Sequence, residues 1–367
     1  MAHILTFLGK GGVGRTTIAI ATAKQLASQG KRVLLVNQGF DPLLSATLNI
    51  SPSCDPQTVD GQFQAIQLQT ALLLDRAWEE VKRLENEYLR SPVLKAIYAQ
   101  ELAVFPGMDE ALALNALREY QTSGNYDVVI YDGQGDQSTL RMLGLPETLS
   151  WYVRRTRQVF AESDFSKMVL PLLQPLIATV FNIDWASNNF SQPASKVNDL
   201  MDQGKAAIAD PQRMVAYLVT TSQPNTIATA QYLWGSSQQT GLTVAGVLIN
   251  QPNANINEPA ESEAFAPLPV YPLPFMQDGD WQTLISALPD FTQVEQAPRS
   301  MTVDLVARQV RLFLPGFSKK QVKLSQNGPE VTIEAGDQRR NILLPPELKG
   351  RPVTGAKFQD QSLIISF

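Results

Sequence analysis

The fold is decided by the stretch Ile4–Thr17, which reads ILTFLGKGGVGRTT. Its first five residues form a continuous apolar run typical of a buried strand, and an alanine-rich amphipathic pattern then runs from Thr16 to Ser28. The glycines between the two allow the backbone to curl so that its N–H groups face an anion, and the helix N-terminus adds a positive dipole end. Strand, glycine loop and helix together predict a phosphate-binding loop.

The loop fits the phosphate-loop pattern G-x-x-x-x-G-K-[ST] at every position but one, because arginine stands where the pattern has lysine. Its residues are Gly9, Lys10, Gly11, Gly12, Val13, Gly14, Arg15, Thr16 and Thr17. The same glycines also fit the G-x-G-x-x-G pattern of dinucleotide sites, and a structural glycine turn is a third interpretation. Dinucleotide sites place an acidic residue after the second strand, whereas this sequence has Asn37 and Gln38 there. We therefore favour a phosphate loop.

Further apolar runs alternate with helical patterns along residues 1–298. Four of them have the continuous character of strands covered on both faces: Arg32–Val36, Tyr126–Tyr131, Met214–Val219 and Val244–Ile249. Strands separated by helices predict a doubly wound, mostly parallel α/β sheet. Two helical stretches are longer than crossovers need, and we expect the second to form a helical insertion at about residues 148–210.

Residues 299–367 have a different pattern. Short alternating runs, with turns at Asn327-Gly328 and Ala335-Gly336, predict an all-β domain of the sandwich type. This part has a net charge of +5, whereas residues 1–298 have a net charge of −10. We therefore expect two domains with a boundary between residues 298 and 299.

Composition restricts the class of protein. The chain has 367 residues, 44% of them hydrophobic, and a net charge of −5, which is typical of a globular protein. With one cysteine, Cys54, and one histidine, His3, a Cys/His zinc framework is excluded, so we expect no zinc. The N-terminus lacks the features of a secretory signal, which predicts a cytoplasmic location. The apolar stretch Met168–Phe181 is too short to cross a bilayer, so we do not expect an integral membrane protein.

The loop GKGGVGRTT resembles the deviant Walker A motif, usually GKGGVGKT, of the arsenical-pump and tail-anchored-protein-targeting ATPases. Three other segments resemble motifs of the same family. YDGQGDQSTLRMLGLPE at 131–147 resembles its switch II, PGMDEA at 106–111 resembles its PG-x-DEA segment, and INQ at 249–251 resembles its adenine-contacting NQ pair. The resemblance covers about residues 1–295 and implies a P-loop ATPase.

The resemblance implies ATP and Mg²⁺ as cofactors and a role for each matching residue. The loop backbone and Thr17 would hold the α and β phosphates, while Thr16 and Asp132 would hold the Mg²⁺ ion. Lys10 would reach across a homodimer to the partner's nucleotide, and Asn250 would contact the adenine edge. A strand-end cap remains an alternative for Asp132, and a turn residue remains one for Asn250.

Three features depart from the family pattern. At position 15 a planar arginine replaces a compact lysine, which predicts that ATP hydrolysis is slow or lost. Asp41, the candidate for positioning the attacking water, comes two residues later than the catalytic aspartate of the family's switch I. Lys10, Asp41 and Asp132 are nevertheless the expected catalytic residues. The Cys-x-x-Cys pair that binds zinc between subunits of eukaryotic members is absent, so any dimer forms without zinc.

Residues 309–367 resemble the small heat-shock-protein, or α-crystallin-like, domain that some ATPases of this family carry. Supporting segments include Leu314-Pro315-Gly316-Phe317 and Leu344-Pro345, in the order that such domains have them. A generic β-sandwich remains an alternative. We expect the domain to serve binding or stabilisation, because no catalytic residues are recognised in it.

These observations favour an ATP-dependent, dimeric chaperone or targeting factor whose nucleotide state opens and closes a groove for hydrophobic clients. The groove candidates are Met168–Phe181, Trp185 and Leu143–Val153, although packing in the core explains these apolar residues equally well. The alternative is a nucleotide-binding scaffold or holdase without significant ATP turnover. A metalloid pump subunit is disfavoured because metalloid binding needs several thiolates, and nucleic-acid binding is disfavoured by the acidic first part.

Overall fold

The structure is a computed structural model of the chain. It describes residues 1–39, 42–76, 79, 107–160, 192–250, 262–276, 279–291 and 297–367, with the backbone alone at 43, 152–160 and 192–198. Three candidates from the sequence lie outside the described residues, namely Asp41, Met168–Phe181 and Trp185. Within these ranges no helix combines the length and apolar character that a membrane crossing requires.

An eight-stranded sheet organises the first part of the chain, in the order β3-β4-β2-β5-β1-β6-β7-β8. Neighbouring strands run parallel except at one edge, where β3 and β4 are antiparallel. This confirms the predicted doubly wound, mostly parallel sheet. The strands are β1 (His3–Leu8), β2 (Val33–Gln38), β3 (Gln57–Asp60), β4 (Phe63–Leu68), β5 (Val128–Asp132), β6 (Met214–Thr220), β7 (Val244–Asn250) and β8 (Val270–Leu273).

Helices cover both faces of this sheet, which explains why its central strands are apolar throughout. Successive side chains of a strand point to opposite faces, so Leu5 and Ile130 enter one core with α1, whereas Ile4 and Val129 enter the other with α3, α4 and α6. The helices are α1 (Arg15–Ser28), α2 (Pro42–Leu48), α3 (Met108–Thr122), α4 (Gln137–Phe160), α5 (Gln192–Ala209), α6 (Pro224–Thr240) and α7 (Trp281–Ala287).

Helix α4 is longer than the strand that precedes it. It begins after the carboxyl end of β5, and its 24 residues span about 36 Å, whereas the five residues of β5 span about 17 Å. Its distal part therefore extends past the amino ends of the strands, where it packs against α5. Lys205 of α5 joins the two helices, since its Nζ donates to Ser150 Oγ at 3.2 Å and lies 3.7 Å from Glu147 Oε2.

Two antiparallel sheets form the C-terminal part and confirm its all-β character. Their facing sides share one apolar core, to which Val310 and Leu312 of one sheet and Val331 and Ile333 of the other contribute. One sheet has the order β14-β15-β10-β9 and the other β11-β12-β13. The strands are β9 (Met301–Asp304), β10 (Gln309–Phe313), β11 (Val322–Asn327), β12 (Glu330–Ala335), β13 (Gln338–Leu343), β14 (Gly355–Gln359) and β15 (Ser362–Ser366).

The C-terminal sheets dock on helix α6. Residues 233–239 of this helix are all buried, because one side packs on the large sheet and the other on the β domain. The rings of Trp234 and Phe313 meet edge to face at 5.5 Å between centroids. Gly235 allows the close approach, since a Cβ at this position would lie 2.7 Å from two carbons of the Phe317 ring and against the Pro315 carbonyl.

We predict that Gly235→Ala lowers the thermal unfolding midpoint, because overpacking at a tight contact costs about 1–3 kcal/mol and exceeds the gain in helix propensity of about 1 kcal/mol. Gly144→Ala in α4 is the matched control, since the nearest atom to its added carbon would be Thr240 Cγ2 at 3.7 Å. The control should keep or raise the midpoint. Equal midpoints for the two variants would contradict the docking described here.

Candidate active site

The phosphate loop, residues 9–17, follows β1 and runs into the first turn of α1, which begins at Arg15, so the predicted order of strand, loop and helix is present. Gly12 and Gly14 have φ values of +84° and +92°, a conformation that only glycine adopts without strain. The Gly9 N–H donates to the Gly135 carbonyl at 2.8 Å. Within the described part of the chain, no hydrogen bond uses the N–H groups of residues 11–14, so these groups are available to an anion.

Asn250 supports the loop from the end of β7. Its Nδ2 donates to the Val13 carbonyl at 2.8 Å, and the side chain is buried. The amide lies so close to Gly14 that a side chain there would collide with it. Asn250 thereby helps to fix the loop, a role that its turn-like sequence context did not indicate. The predicted adenine contact stays a prediction.

Arg15 connects the start of α1 to residues 132–137, the first part of the stretch 131–147 that resembles switch II; these six residues are called the switch II segment below. Its Nη1 donates to the Gln134 carbonyl, and its guanidinium lies against Gly135. Burial lowers the pKa of Arg15, while the carboxylates of Asp132 and Asp136 act in the opposite direction. The arginine at the Walker position therefore contacts switch II in this structure, a partner that the sequence pattern did not reveal.

Asp132 ends β5 beneath the loop and is buried, with 4% of its surface exposed. Asn37 of the neighbouring strand β2 donates through Nδ2 to Asp132 Oδ2 at 3.1 Å. Asn37 Oδ1 is also buried, and among the described residues it has no hydrogen-bond partner. Such an oxygen beside a carboxylate is suited to receive a hydrogen bond from a water molecule of a magnesium shell.

The residues present fit Mg²⁺, which prefers oxygen ligands and keeps several waters. Thr16 is half-buried in the first turn of α1 and would supply a hydroxyl, while Asp132 would supply the carboxylate. In the described ranges no three His, Cys, Asp or Glu side chains converge as a metal centre, so phosphate oxygens and water would complete the shell. A bound Mg²⁺ would neutralise phosphate charge.

The two remaining expected catalytic residues differ in what the structure says of them. Lys10 is exposed at the tip of the loop, and no hydrogen bond or ion pair joins it to any other described residue. Asp41, as noted, is outside the described ranges, so its role as water-positioning residue stays a prediction. Thr17 lies half-buried beside Thr16 at the start of α1.

The fold and the loop define a protein of the P-loop NTPase class, and comparison with known proteins gives the family. The model of the anion-transporting ATPases matches residues 2–265, and that of the HSP20-like domain found in ArsA matches residues 307–367. The chain therefore belongs to the anion-transporting ATPase family and carries an HSP20-like domain. Both resemblances stated from the sequence are confirmed, and the protein is an ATPase.

Named relatives agree with this assignment. The chain is 26% identical over 393 residues to the "Putative arsenical pump-driving ATPase" of Chlorobaculum tepidum, covering 100% of this chain and 96% of the relative. A protein with the same name, numbered 1, from Aquifex aeolicus is 22% identical over 402 residues, with 99% of each chain covered. The ATPase ASNA1 homolog of Babesia bovis is 31% identical over 143 residues, which cover 38% of each chain.

We predict that Asn250→Ala weakens binding of both ATP and inorganic tripolyphosphate in the presence of Mg²⁺, because the lost amide leaves the Val13 carbonyl and the loop unsupported. A buried acceptor left without its donor costs about 1–3 kcal/mol. If this whole cost falls on the phosphate-binding conformation of the loop, affinity drops roughly 5- to 150-fold. Isothermal titration measures both ligands. Weaker ATP binding with unchanged tripolyphosphate binding would instead assign Asn250 to the adenine alone.

Proposed function

We propose that the protein is a Mg²⁺-dependent, slowly hydrolysing ATPase of the cytoplasm that acts as a nucleotide-switched chaperone or targeting factor for hydrophobic clients. Membership of the family supports the ATPase part. The observation that carries the switching part is the course of α4, which starts in the switch II segment and ends in the helical pair with α5.

An apolar cavity of about 320 Å³ lies where α4 and α5 leave the large sheet. Its lining includes Leu143, Leu145 and Leu149 of α4, Leu200 and Met201 of α5, and apolar residues of α3 such as Leu114. The predicted groove segment Leu143–Val153 thus contributes three leucines to a recess, while Leu143 itself is also part of the core. A recess of this size is at the lower end of the range for ligand sites and suits apolar side chains of a client.

Only a short stretch of chain separates the nucleotide site from the helix that lines the apolar cavity. The first turn of α4 follows Asp132 by only five residues, and nucleotide phosphates typically order or release such switch segments. Movement of the segment would displace α4 and with it one wall of the cavity. Binding energy at the phosphate loop is thereby available to open or close the apolar recess.

We propose that two copies of the chain act together across the phosphate loops. The exposed Lys10 supports this, because its ammonium has no partner among the described residues and resembles a lysine that acts in trans. A nucleotide bound between two copies would receive a second positive charge from the partner. The negative charge of the nucleotide phosphates would attract the partner's lysine.

We predict that a fluorescent peptide of about 20 apolar residues binds with affinities that differ at least about tenfold between the Mg·ATP and Mg·ADP states. Leu149→Asp should abolish this binding, because it places a charge in the cavity. Leu72→Asp is the control, since Leu72 is 42% exposed and does not line the cavity. Equal affinity in both nucleotide states, unaffected by Leu149→Asp, would refute the client proposal but leave the ATPase assignment intact.

The position of Arg15 favours an alternative function, that of a nucleotide-binding scaffold or holdase without significant ATP turnover. The contacts of its guanidinium with the Gln134 carbonyl and Gly135 hold it at switch II, whereas the Walker lysine acts on phosphates. A planar fork with five donors is not equivalent to an ammonium in this role. Slow turnover and complete loss of turnover are therefore the two alternatives to be separated by kinetics.

We predict that Arg15→Lys leaves ATP affinity within a few-fold of wild type, because lysine keeps the positive charge, and does not create fast hydrolysis, because the shifted Asp41 would still misplace the attacking water. Single-turnover hydrolysis measures this, with the exposed Lys31→Arg as a control for exchanging the two cations. A positioned cation on the transferring phosphoryl group is commonly worth roughly 10³-fold in rate. A rise of about a hundredfold or more in the variant would show that arginine is the sole defect.

A further inference from the structure

The switch II segment is fastened to the phosphate loop by groups of the first part of the chain. Arg15 donates to the Gln134 carbonyl, and the Gly9 N–H donates to the Gly135 carbonyl at 2.8 Å. The Gly135 N–H in turn donates to Thr139 Oγ1 at 2.9 Å, which closes the turn onto α4. These bonds fix residues 134 and 135. None of them involves the side chain of Gln137, the first residue of α4, which is held by other groups.

That side chain, Gln137, is held from two directions. Its Nε2 donates to Ser236 Oγ of α6 at 3.0 Å, and its Oε1 accepts from Gln338 Nε2 at 2.7 Å. Gln338 is the first residue of β13, so one of the two contacts comes from the HSP20-like domain, 201 residues along the chain. Both polar atoms of the Gln137 side-chain amide, the nitrogen and the oxygen, thus hold the start of α4 in place.

Gln338 is itself held firmly. It is buried, with 8% of its surface exposed, and it pairs with Ala335 across the β12–β13 hairpin. The preceding residue, Asp337, donates its N–H to the Tyr232 hydroxyl of α6 at 3.1 Å, and Arg340 donates to the Gln238 carbonyl at 2.7 Å. The hairpin therefore holds Gln338 in a fixed position relative to α6.

The same hairpin contacts α4 a second time. The guanidinium carbon of Arg339 lies 4.9 Å from the centre of the Trp151 ring, on the distal part of the helix. Burial lowers the pKa of Arg340 to about 10, with Glu147 of α4 acting in the opposite direction, so this arginine keeps its charge at neutral pH. The domain thus meets α4 both at its start in switch II and farther along its length.

We infer that Gln338 is a positioning residue of the ATPase site, contributed by the HSP20-like domain. It holds Gln137 and thereby fixes the end of the switch II segment that the phosphate loop does not hold. Because Gln338 contacts Gln137 and not the phosphate loop, we expect its loss to slow the hydrolysis step much more than it weakens nucleotide binding. The inference rests on the ATPase activity of the family and is independent of the client proposal.

The test compares three variants of the full chain by ATP titration and single-turnover hydrolysis. Gln338→Leu removes the donor and leaves Gln137 Oε1 unpaired, and we expect the hydrolysis rate to fall at least about fivefold with ATP affinity within about twofold. Gln338→Glu should restore the rate, because the Gln137 amide can rotate to donate to the new carboxylate while the Ser236 hydroxyl donates to Oε1.

Thr332→Val is the matched control inside the same sheet. It removes a hydrogen bond of 2.9 Å from Thr332 Oγ1 to Asn341 Oδ1, so it destabilises the domain without touching switch II. We expect it to keep the wild-type rate. The inference is overturned if Gln338→Leu hydrolyses ATP at the wild-type rate, if Thr332→Val slows hydrolysis as much as Gln338→Leu, or if Gln338→Glu remains as slow as Gln338→Leu.

Discussion

The hydrogen bond from the Gly9 N–H to the Gly135 carbonyl is the contact on which the site depends. It exists because β1 and β5 are parallel neighbours, so the loops at their carboxyl ends lie side by side. One loop offers free N–H groups to an anion, and the other leads directly into α4. A phosphate bound at the first loop is therefore adjacent to the segment that begins the longest described helix.

This arrangement assigns different tasks to the two domains. The large sheet and its helices supply the loop, Asp132 and Asn37, whereas the HSP20-like domain covers α6 and reaches the start of α4 through Gln338. The close packing at Gly235 makes the domain part of the ATPase body and not an appendage. Switch II and the docked domain thus meet at one helix pair, α4 and α6, and we propose that nucleotide state acts on both through this pair.

The sequence predicted those features that have a local pattern. Five central strands were predicted because burial on both faces makes them apolar throughout, and the phosphate loop because its glycines follow such a strand. Strands β3, β4 and β8 were not predicted, since β3 and β4 mix apolar with polar residues and β8 contains Pro272 at an edge of the sheet. The partners of Arg15 and Gln137 were missed because they lie more than 90 residues away and share no spacing rule.

We propose that nucleotide bound at the phosphate loop alters the switch II segment and the α4 helix that follows it. Hydrogen–deuterium exchange of residues 133–149, with and without Mg²⁺ and a non-hydrolysable ATP analogue, tests this most directly. We expect changed protection in this segment and unchanged protection in the buried strand β6. Identical exchange of residues 133–149 in both states, with the analogue bound, would contradict it.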